Sequence, residues 1–310
     1  MSATTPSARM RLGVIADLDE GSHEGRTPRY RDIKAMAQLA EQVGLDSFWL
    51  ADHLLVRRTE QVDVDENGTW ESFTFLSALA DATSRIALGP LVAATSFRNP
   101  ALLAKMADAL DEISEGRFIL GLGSGWHKPE YDAFGIPFDH LASRFEEALR
   151  IIHPLLRDGH VDFSGRFYEA RDCVLRPRGP TPGGPRVLIG AKRPRMLELV
   201  ARYADAWNTA WHQSPETIAA AVETLRVACD AVGRDPASIE LTAGTLAHVY
   251  APGEARKADE RIIAGSPEEV ADGLRGFAAV GVQHLIVIPE PPDLRGIERL
   301  GRVAELLAAG

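Results

Sequence analysis

Residues 49–53, with the sequence WLADH, place an acidic side chain and a histidine directly after a short apolar run. Residues 47–50 are predicted as a buried strand, so Asp52 and His53 emerge where that strand ends. An imidazole has an unperturbed pKa of about 6.5 and therefore exchanges protons near neutral pH. We predict that His53 takes part in catalysis; the alternative is a histidine whose hydrogen bonds are purely structural.

Residues 118–126, FILGLGSGW, follow the end of another predicted strand with closely spaced glycines. The GxGxG spacing, the bulky residues after it and the lack of an acidic strand end about 20 residues later argue against a dinucleotide-binding fingerprint. We predict instead that the glycines let a planar ligand approach the backbone and that Ser124 supplies a hydroxyl group. For Gly121, tight packing within the fold is the alternative.

Residues 190–195, GAKRPR, connect the predicted strand 186–189 to a helix. The start of a helix presents N–H groups and positive potential, and here a glycine and three cationic side chains stand beside it. This pattern predicts an anion site. The alternative is that Lys192, Arg193 and Arg195 are ordinary solvated charges.

Residues 91–100, LVAATSFRNP, end the third predicted strand with small side chains such as Ala94, which would leave room beneath a flat ring. On composition alone this segment is a buried strand. No metal site is predicted, because the nine histidines are scattered and none has the spacing with a carboxylate that a zinc-binding helix needs. The sequence also has no G-x-S-x-G or phosphate-loop motif.

Short apolar runs alternate with helix-period segments along the chain. Eight of these runs are predicted as strands, at residues 12–16, 47–50, 86–93, 118–122, 186–189, 206–209, 239–249 and 282–288. Eight strand–helix units are the number that a closed (β/α)8 barrel requires, so the predicted fold class is α/β, a TIM barrel. An open doubly wound sheet is the alternative.

Helix starts are predicted where a capping residue precedes a proline, at Thr27-Pro28, Asn99-Pro100, Ser214-Pro215 and Ser266-Pro267. Cys229 lies in an apolar helical stripe and is predicted to be a core residue. Two insertions, 54–70 and 157–185, leave the pattern near the C-terminal mouth. Each either shapes an active site or is an interface or a plain surface loop.

Composition limits the class of protein. The 310 residues are 45% apolar and 25% charged, and their net charge of −10 argues against binding to nucleic acid or an anionic membrane surface. The two cysteines have neither disulfide nor zinc spacing, which fits a reducing cytoplasm. Residues 1–10 are polar and are not a secretory signal, and no apolar run is long enough to span a bilayer. We therefore expect a disordered tail at 1–10, one domain at 11–310 and a cytoplasmic location.

Taken together, these segments resemble the luciferase-like monooxygenase superfamily, which includes flavin monooxygenases and deazaflavin-dependent dehydrogenases and reductases. The matching stretches extend over nearly the whole chain beyond residue 10, at residues 49–53, 98–126, 131–135, 167–170, 186–208 and 265–287. The resemblance implies a TIM barrel with insertions and a flat cofactor lying across its mouth.

The resemblance also implies roles for single residues. Asp52 and His53 match an acid–histidine pair beside the cofactor ring, in which His53 exchanges a proton and Asp52 fixes its orientation. The Leu91-Val92 peptide matches a bulge in the third strand, often a non-proline cis peptide, that backs the ring, and Ala94 lies close behind it. Trp126 stands where some relatives carry a catalytic acid, so a mechanism with an acid there does not transfer.

Further along, Ser124 and Gly125 match contacts to the polyol and phosphate of the cofactor. Residues 190–193, namely Gly190, Ala191, Lys192 and Arg193, match a phosphate loop, although the usual loop contains more glycine. Trp126 and Trp211 are predicted to contact the substrate.

The function implied by the resemblance is hydride transfer between a cofactor and a small organic substrate, in a chain expected to form a homodimer. Coenzyme F420 is expected, because Lys192, Arg193 and Arg195 supply positive charge for the additional carboxylates of its tail. FMN, used with O2 by flavin monooxygenases, is the alternative. A non-catalytic flavin-binding barrel and a phosphosugar lyase or isomerase are the other classes.

Overall fold

The structure is a computed structural model that describes residues 9–23, 25–57, 66–255 and 262–309. Its strands, in chain order, are β1 (Arg11–Ala16), β2 (Ser47–Leu50), β3 (Leu55–Arg57), β4 (Glu66–Gly68), β5 (Ala87–Pro90), β6 (Ala93–Ala94), β7 (Ile119–Gly123), β8 (His160–Ser164), β9 (Glu169–Val174), β10 (Arg186–Gly190), β11 (Ala206–Thr209), β12 (Glu240–Val249), β13 (Ile263–Gly265) and β14 (His284–Glu290). Its helices are α1 (Tyr30–Gln42), α2 (Ser72–Ala82), α3 (Pro100–Ile113), α4 (Lys128–Ala133), α5 (Leu141–Asp158), α6 (Pro194–Tyr203), α7 (Ala219–Val232), α8 (Pro267–Ala279) and α9 (Leu294–Ala308).

The main sheet is parallel and follows the order β5, β2, β1, β14, β12, β11, β10, β7, β6. A bridge between Leu88 and Phe118 and the pairing of β6 with β7 bring the two ends of this order together. The predicted (β/α)8 barrel is therefore confirmed, and the open doubly wound sheet is excluded.

The third barrel strand is split into β5 and β6, whereas the sequence predicts one strand over 86–93. β5 pairs with β2, β6 pairs with β7, and the Leu91-Val92 peptide between them is cis, as the resemblance implies. The strand changes neighbours at this point. A Cβ atom on Gly121 of β7 would lie 2.0 Å from the carbonyl oxygen of Pro90, so tight packing explains this glycine.

Two apolar layers explain why most barrel strands are apolar on both faces. The outer layer packs the strands against the helices. The inner layer fills the barrel with buried side chains from β1, β2, β7, β10, β11 and β14, namely Ile15, Trp49, Ile119, Leu188, Ala206 and Ile286. Cys229 of α7 is fully buried, which confirms its prediction as a core residue.

Most of the predicted helix starts are close to the observed ones. Asn99 caps α3 through its side chain, and Ser266 forms a capping box with Glu269 at the start of α8. The start predicted at Pro28 is wrong by two residues. Asp32 accepts a hydrogen bond from the backbone N–H of Arg29, which places the first turn of α1 at Tyr30.

The two predicted insertions are antiparallel hairpins as far as the structure describes them. β3 pairs with β4 in the first, and β8 pairs with β9 in the second. Residues 58–65 of the first insertion and residues 1–8 of the predicted tail lie outside the described residues. The assignment of 11–310 to one domain stays a prediction.

A polar cluster occupies the N-terminal end of the barrel. Trp49 Nε1 donates to Ser47 Oγ at 2.6 Å, and this oxygen lies 2.7 Å from Nε2 of the buried His284. Glu240 pairs with Arg11 and, at 2.6 Å, with Arg186. Among the described helices, none is both long and apolar enough to cross a bilayer.

Candidate functional site

A cavity of about 650 Å³ and a second of about 540 Å³ open at the C-terminal ends of the barrel strands. The smaller one, called the ring cavity below, brings together segments that are far apart in the chain. The predicted site residues that line it are Asp52, His53, Leu91, Val92, Ala94, Ser124, Gly125, Trp126, Gly190, Ala191, Lys192 and Trp211. Two of the predicted cations, Arg193 and Arg195, are outside this lining and are exposed residues at the start of α6.

His53 is held by a carboxylate on α4. Its Nδ1 atom lies 3.1 Å from Oε1 and 3.3 Å from Oε2 of Glu130, and the backbone N–H of Leu54 donates to the same carboxylate at 2.8 Å. A carboxylate accepts hydrogen bonds, so Nδ1 of His53 carries the proton. The second ring nitrogen, Nε2, is left to exchange a proton with a ligand.

The charge state of His53 follows from opposing effects. Burial disfavours the imidazolium, but the hydrogen bond and negative charge of Glu130, with the charges of Asp52 and Asp19, outweigh it and raise the pKa of His53 above its ordinary value. Glu130 itself is 1% exposed. The pair is therefore a proton-holding unit shielded from bulk water on its carboxylate side.

Asp52 does not hydrogen-bond His53, and in this respect the predicted orienting role is wrong. Its carboxylate accepts from both terminal nitrogens of Arg98 at 2.8 and 2.9 Å, from Ser72 Oγ at 2.6 Å and from the N–H of Ala94 at 3.1 Å. Arg98 also pairs with Glu71. Asp52 thus ties the end of β2 to α2 and to the third barrel strand, because those elements supply its donors.

The glycines of the ring cavity make room for protein side chains. A Cβ atom on Gly123 would lie 2.6 Å from Val92 Cγ2, and one on Gly190 would lie 3.2 Å from both Val92 methyl groups. Gly125 has a φ of +78°, and its Cβ atom would lie 1.7 Å from the hydroxyl oxygen of Tyr131. The places that Cβ atoms would take at these glycines are therefore occupied by Val92 and Tyr131, while the glycines themselves line the cavity and the approach of a planar ligand to them stays a prediction.

The three cations of residues 192–195 differ in what they contact. Lys192 lines the ring cavity and has no hydrogen bond or ion pair with any residue that the structure describes. Arg195 points instead to α5, where it donates to Ser143 at 3.0 Å and lies 3.4 Å from Glu146. Lys192 therefore lines the cavity and Arg195 does not, and a contact between Lys192 and an anion stays a prediction.

The aromatic residues predicted to contact the substrate both line the ring cavity. The ring of Trp126 is 70% exposed and meets His53 edge-on with 5.7 Å between the ring centres, and Trp211 is 42% exposed. Their contact with a substrate stays a prediction.

Glu130, which lies 3.1 Å from His53, was not identified from the sequence. It lies on α4, a helix of six residues that follows the glycine-rich end of β7. An acidic residue beside the apolar Tyr131, just after the C-terminal end of a barrel strand, is the signal that would have identified it.

Comparison with known proteins gives the family. The model of the luciferase-like monooxygenases matches residues 10–260. Over 243 residues the chain is 34% identical to a pyrimidine monooxygenase, RutA, of Methylobacterium radiotolerans, covering 74% of this chain and 62% of that protein. Other RutA proteins match over about half of their length.

Two further similarities extend over more of the chain. It is 29% identical over 290 residues to a phthiodiolone/phenolphthiodiolone dimycocerosates ketoreductase of Mycobacterium bovis, covering 88% of this chain and 74% of that one. The fold matches that of a coenzyme F420-dependent tetrahydromethanopterin reductase of Methanopyrus kandleri, with a TM-score of 0.78, 20% identity and coverage of 95% and 98% of the two chains. With its barrel, its ring cavity and a family model that matches four-fifths of its length, the chain belongs to the luciferase-like monooxygenase family.

Proposed function

We propose that this oxidoreductase transfers a hydride between coenzyme F420 and a small organic substrate. The reaction interconverts an alcohol and a carbonyl compound. The observation that carries the proposal is the ring cavity, in which a proton-holding His53–Glu130 pair and the unpaired Lys192 face the same space. A relative named as a ketoreductase and a structural neighbour that depends on coenzyme F420 support it.

The residues present fit a flat anionic cofactor. A cavity of about 540 Å³ lies in the range that cofactor sites occupy. Leu91 and Val92 would lie against its ring, Ser124 would contact its polyol, and Lys192 would neutralise its phosphate. When bound, such a cofactor supplies the donor or acceptor of the hydride.

The chain's own part in the reaction is to hold and move a proton. Nε2 of His53 takes the hydroxyl proton of an alcohol as its carbon gives up a hydride, and the C–O bond becomes a carbonyl group. In the opposite direction, protonated His53 returns that proton to the carbonyl oxygen. Glu130 keeps the imidazole in the tautomer and orientation that both directions need.

An FMN-dependent monooxygenase is the second candidate. The observation in its favour is the 34% identity to a pyrimidine monooxygenase. FMN and coenzyme F420 share a tricyclic ring and a phosphate, so Lys192 fits either of them. The relative named as a ketoreductase and the structural neighbour that depends on coenzyme F420 favour coenzyme F420.

The test is a pair of titrations, with coenzyme F420 and with FMN, at low and at physiological salt. Lys192→Ala should weaken binding by roughly 10- to 100-fold, as for a charged hydrogen bond of about 1.5–3 kcal/mol. Arg195→Ala is the matched control, because its side chain contacts α5. Tighter binding of FMN to the parent would favour the second candidate, and unchanged binding in Lys192→Ala would refute the phosphate contact.

Turnover separates the reaction classes. Oxidation of reduced coenzyme F420 by a ketone without oxygen supports the proposal, and consumption of O2 with reduced FMN supports the monooxygenase. Binding without any turnover supports the non-catalytic flavin-binding barrel.

The expected homodimer and cytoplasmic location are also proposals. The first rests on the family resemblance and is checked by light scattering on the eluting protein. The second is supported by free Cys173 and Cys229, since reduced thiols are typical of the cytoplasm. Cell fractionation checks it.

A further inference from the structure

The larger cavity, called the body cavity below, lies beside the ring cavity at the C-terminal ends of β12 and β14. Its volume is about 650 Å³, and Trp211 lines both cavities. Its apolar lining consists of Trp211, Leu246, Tyr250, Ile262, Ala264 and Ile288. The two cavities together extend around most of the barrel mouth, and the indole of Trp211 stands between them.

Trp211 is fixed in that position by the strand behind it. The N–H of His212 donates to the carbonyl oxygen of Gly244 at 2.8 Å, and Thr245 Oγ1 donates to the carbonyl oxygen of His212 at 2.7 Å. A Cβ atom on Gly244 would lie 2.5 Å from the indole. The ring therefore rests directly on the bare backbone of β12.

His212, on the wall of the body cavity, has both ring nitrogens engaged. Thr217 donates its hydroxyl proton to the carbonyl oxygen of Ser214 at 2.7 Å, so it accepts from Nδ1 of His212 at 2.6 Å. Burial and the charge of Lys192 lower the pKa of His212, which favours the neutral ring, in which Nε2 accepts from Thr209 Oγ1 at 2.9 Å. This imidazole is neutral and has no nitrogen left for a ligand.

The remaining charged groups disfavour an anion in the body cavity. Nε2 of His248 lies 3.0 Å from Oε1 of Glu254, so this imidazole is also engaged within the protein. The carboxylate of Glu290 lines the cavity and would repel a ligand carboxylate. Recognition here therefore depends on apolar contact.

We propose that the body cavity binds the apolar body of an uncharged substrate whose reacting carbon lies in the ring cavity beside His53. The inference rests on the proposed function for the reacting end. The substrate bends around the indole of Trp211, which separates the two cavities. Gly244 permits this position of the indole because it has no Cβ atom.

The experiment measures binding of a homologous series of methyl ketones, from 2-butanone to 2-decanone, to the cofactor-free protein by calorimetry. Each added CH2 should tighten binding by about fourfold until the cavity is filled, which is the fold-change equivalent of about 0.8 kcal/mol.

Two variants place the binding in the body cavity. Leu246→Trp fills it and should abolish the dependence on chain length. Leu102→Trp, on the exposed surface of α3, is the matched control and should keep it. If Leu246→Trp fails to fold, Ala264→Phe fills the same cavity from its edge.

A parent protein whose ketone affinity does not depend on chain length, or a Leu246→Trp variant that keeps this dependence, would overturn the inference. The cofactor titration is a separate measurement. If it fails while the ketone series behaves as expected, the proposed function is wrong and the apolar site stands.

Discussion

Nδ1 of His53 lies 3.1 Å from Oε1 of Glu130, a residue 77 positions further along the chain and almost completely buried. The end of β2 and the short helix α4 are joined at the ring cavity by this contact. It fixes the imidazole tautomer, so the proton that reaches a ligand is the one on Nε2. In the proposed function Glu130 is thus a positioning residue that acts through His53.

The first prediction concerns this pair. His53→Ala should lower turnover by about 10²–10⁴-fold. Glu130→Gln should lower it by less, because the imidazole remains but loses its negative partner. Glu112→Gln, on the exposed face of α3, is the control.

The pH dependence shows whether Glu130 acts through His53. The pKa of His53 is raised above its ordinary value, mainly through Glu130 acting against burial, so the imidazolium persists to higher pH than usual. Ketone reduction should fall as pH rises through that pKa, and Glu130→Gln should move the fall to lower pH. An unmoved profile would show that Glu130 is only structural.

The second prediction concerns the ion pair beneath the ring cavity. Asp52→Ala leaves the guanidinium of Arg98 buried beside fewer acceptors, and Arg98 keeps Glu71 as a partner. Removing one member of a buried pair costs about 3–5 kcal/mol, and we expect a value near the lower end. Urea denaturation of the parent and the variant measures this loss in the free energy of unfolding. Asp230→Ala, which breaks the exposed pair with Arg226, should leave the free energy of unfolding nearly unchanged.

The third prediction concerns Gly244. Gly244→Ala should displace the Trp211 indole and destabilise the fold by about 1–3 kcal/mol, as overpacking does. In the background of Trp211→Ala the same change should cost less, because the clashing ring is gone and only the Cβ atom of Ala210, at 2.8 Å, still has to move. Equal costs in both backgrounds, measured in a double-mutant cycle, would contradict the packing described above.

The fourth prediction concerns acid stability. Complete burial, together with the charges of Arg11 and Arg186, lowers the pKa of His284 well below its ordinary value. Below a pH of about 6.5 the imidazole of His284 therefore binds a proton in the unfolded chain but not in the folded chain. The free energy of unfolding falls as the pH drops through this range. His284→Gln should make this fall shallower. His160→Gln, in the exposed hairpin, should not, and an equal effect of both variants would exclude His284 as the cause.

The barrel and the convergence of the site residues were predictable from sequence, because continuous apolar runs of strand length place their carboxyl ends at one mouth. The pairing of His53 with Glu130 was not, since no local pattern tells which of the acidic residues near the mouth meets a given histidine. The same holds for Asp52, whose donors come from three separate elements. The glycines were interpreted only in part for a related reason: their spacing predicts a close approach to the backbone, and tertiary packing was needed to show that Val92 and Tyr131 are among the groups that approach it.

The polar cluster of Ser47, Glu240 and His284 and the two cavities lie at opposite ends of the same strands, with the inner apolar layer between them. Ser47, Glu240 and His284 line neither cavity, so free-energy changes from substitutions at each end should add. Protein engineering or natural selection is therefore able to change acid stability through the N-terminal end of the barrel and substrate preference through the C-terminal end, each independently of the other.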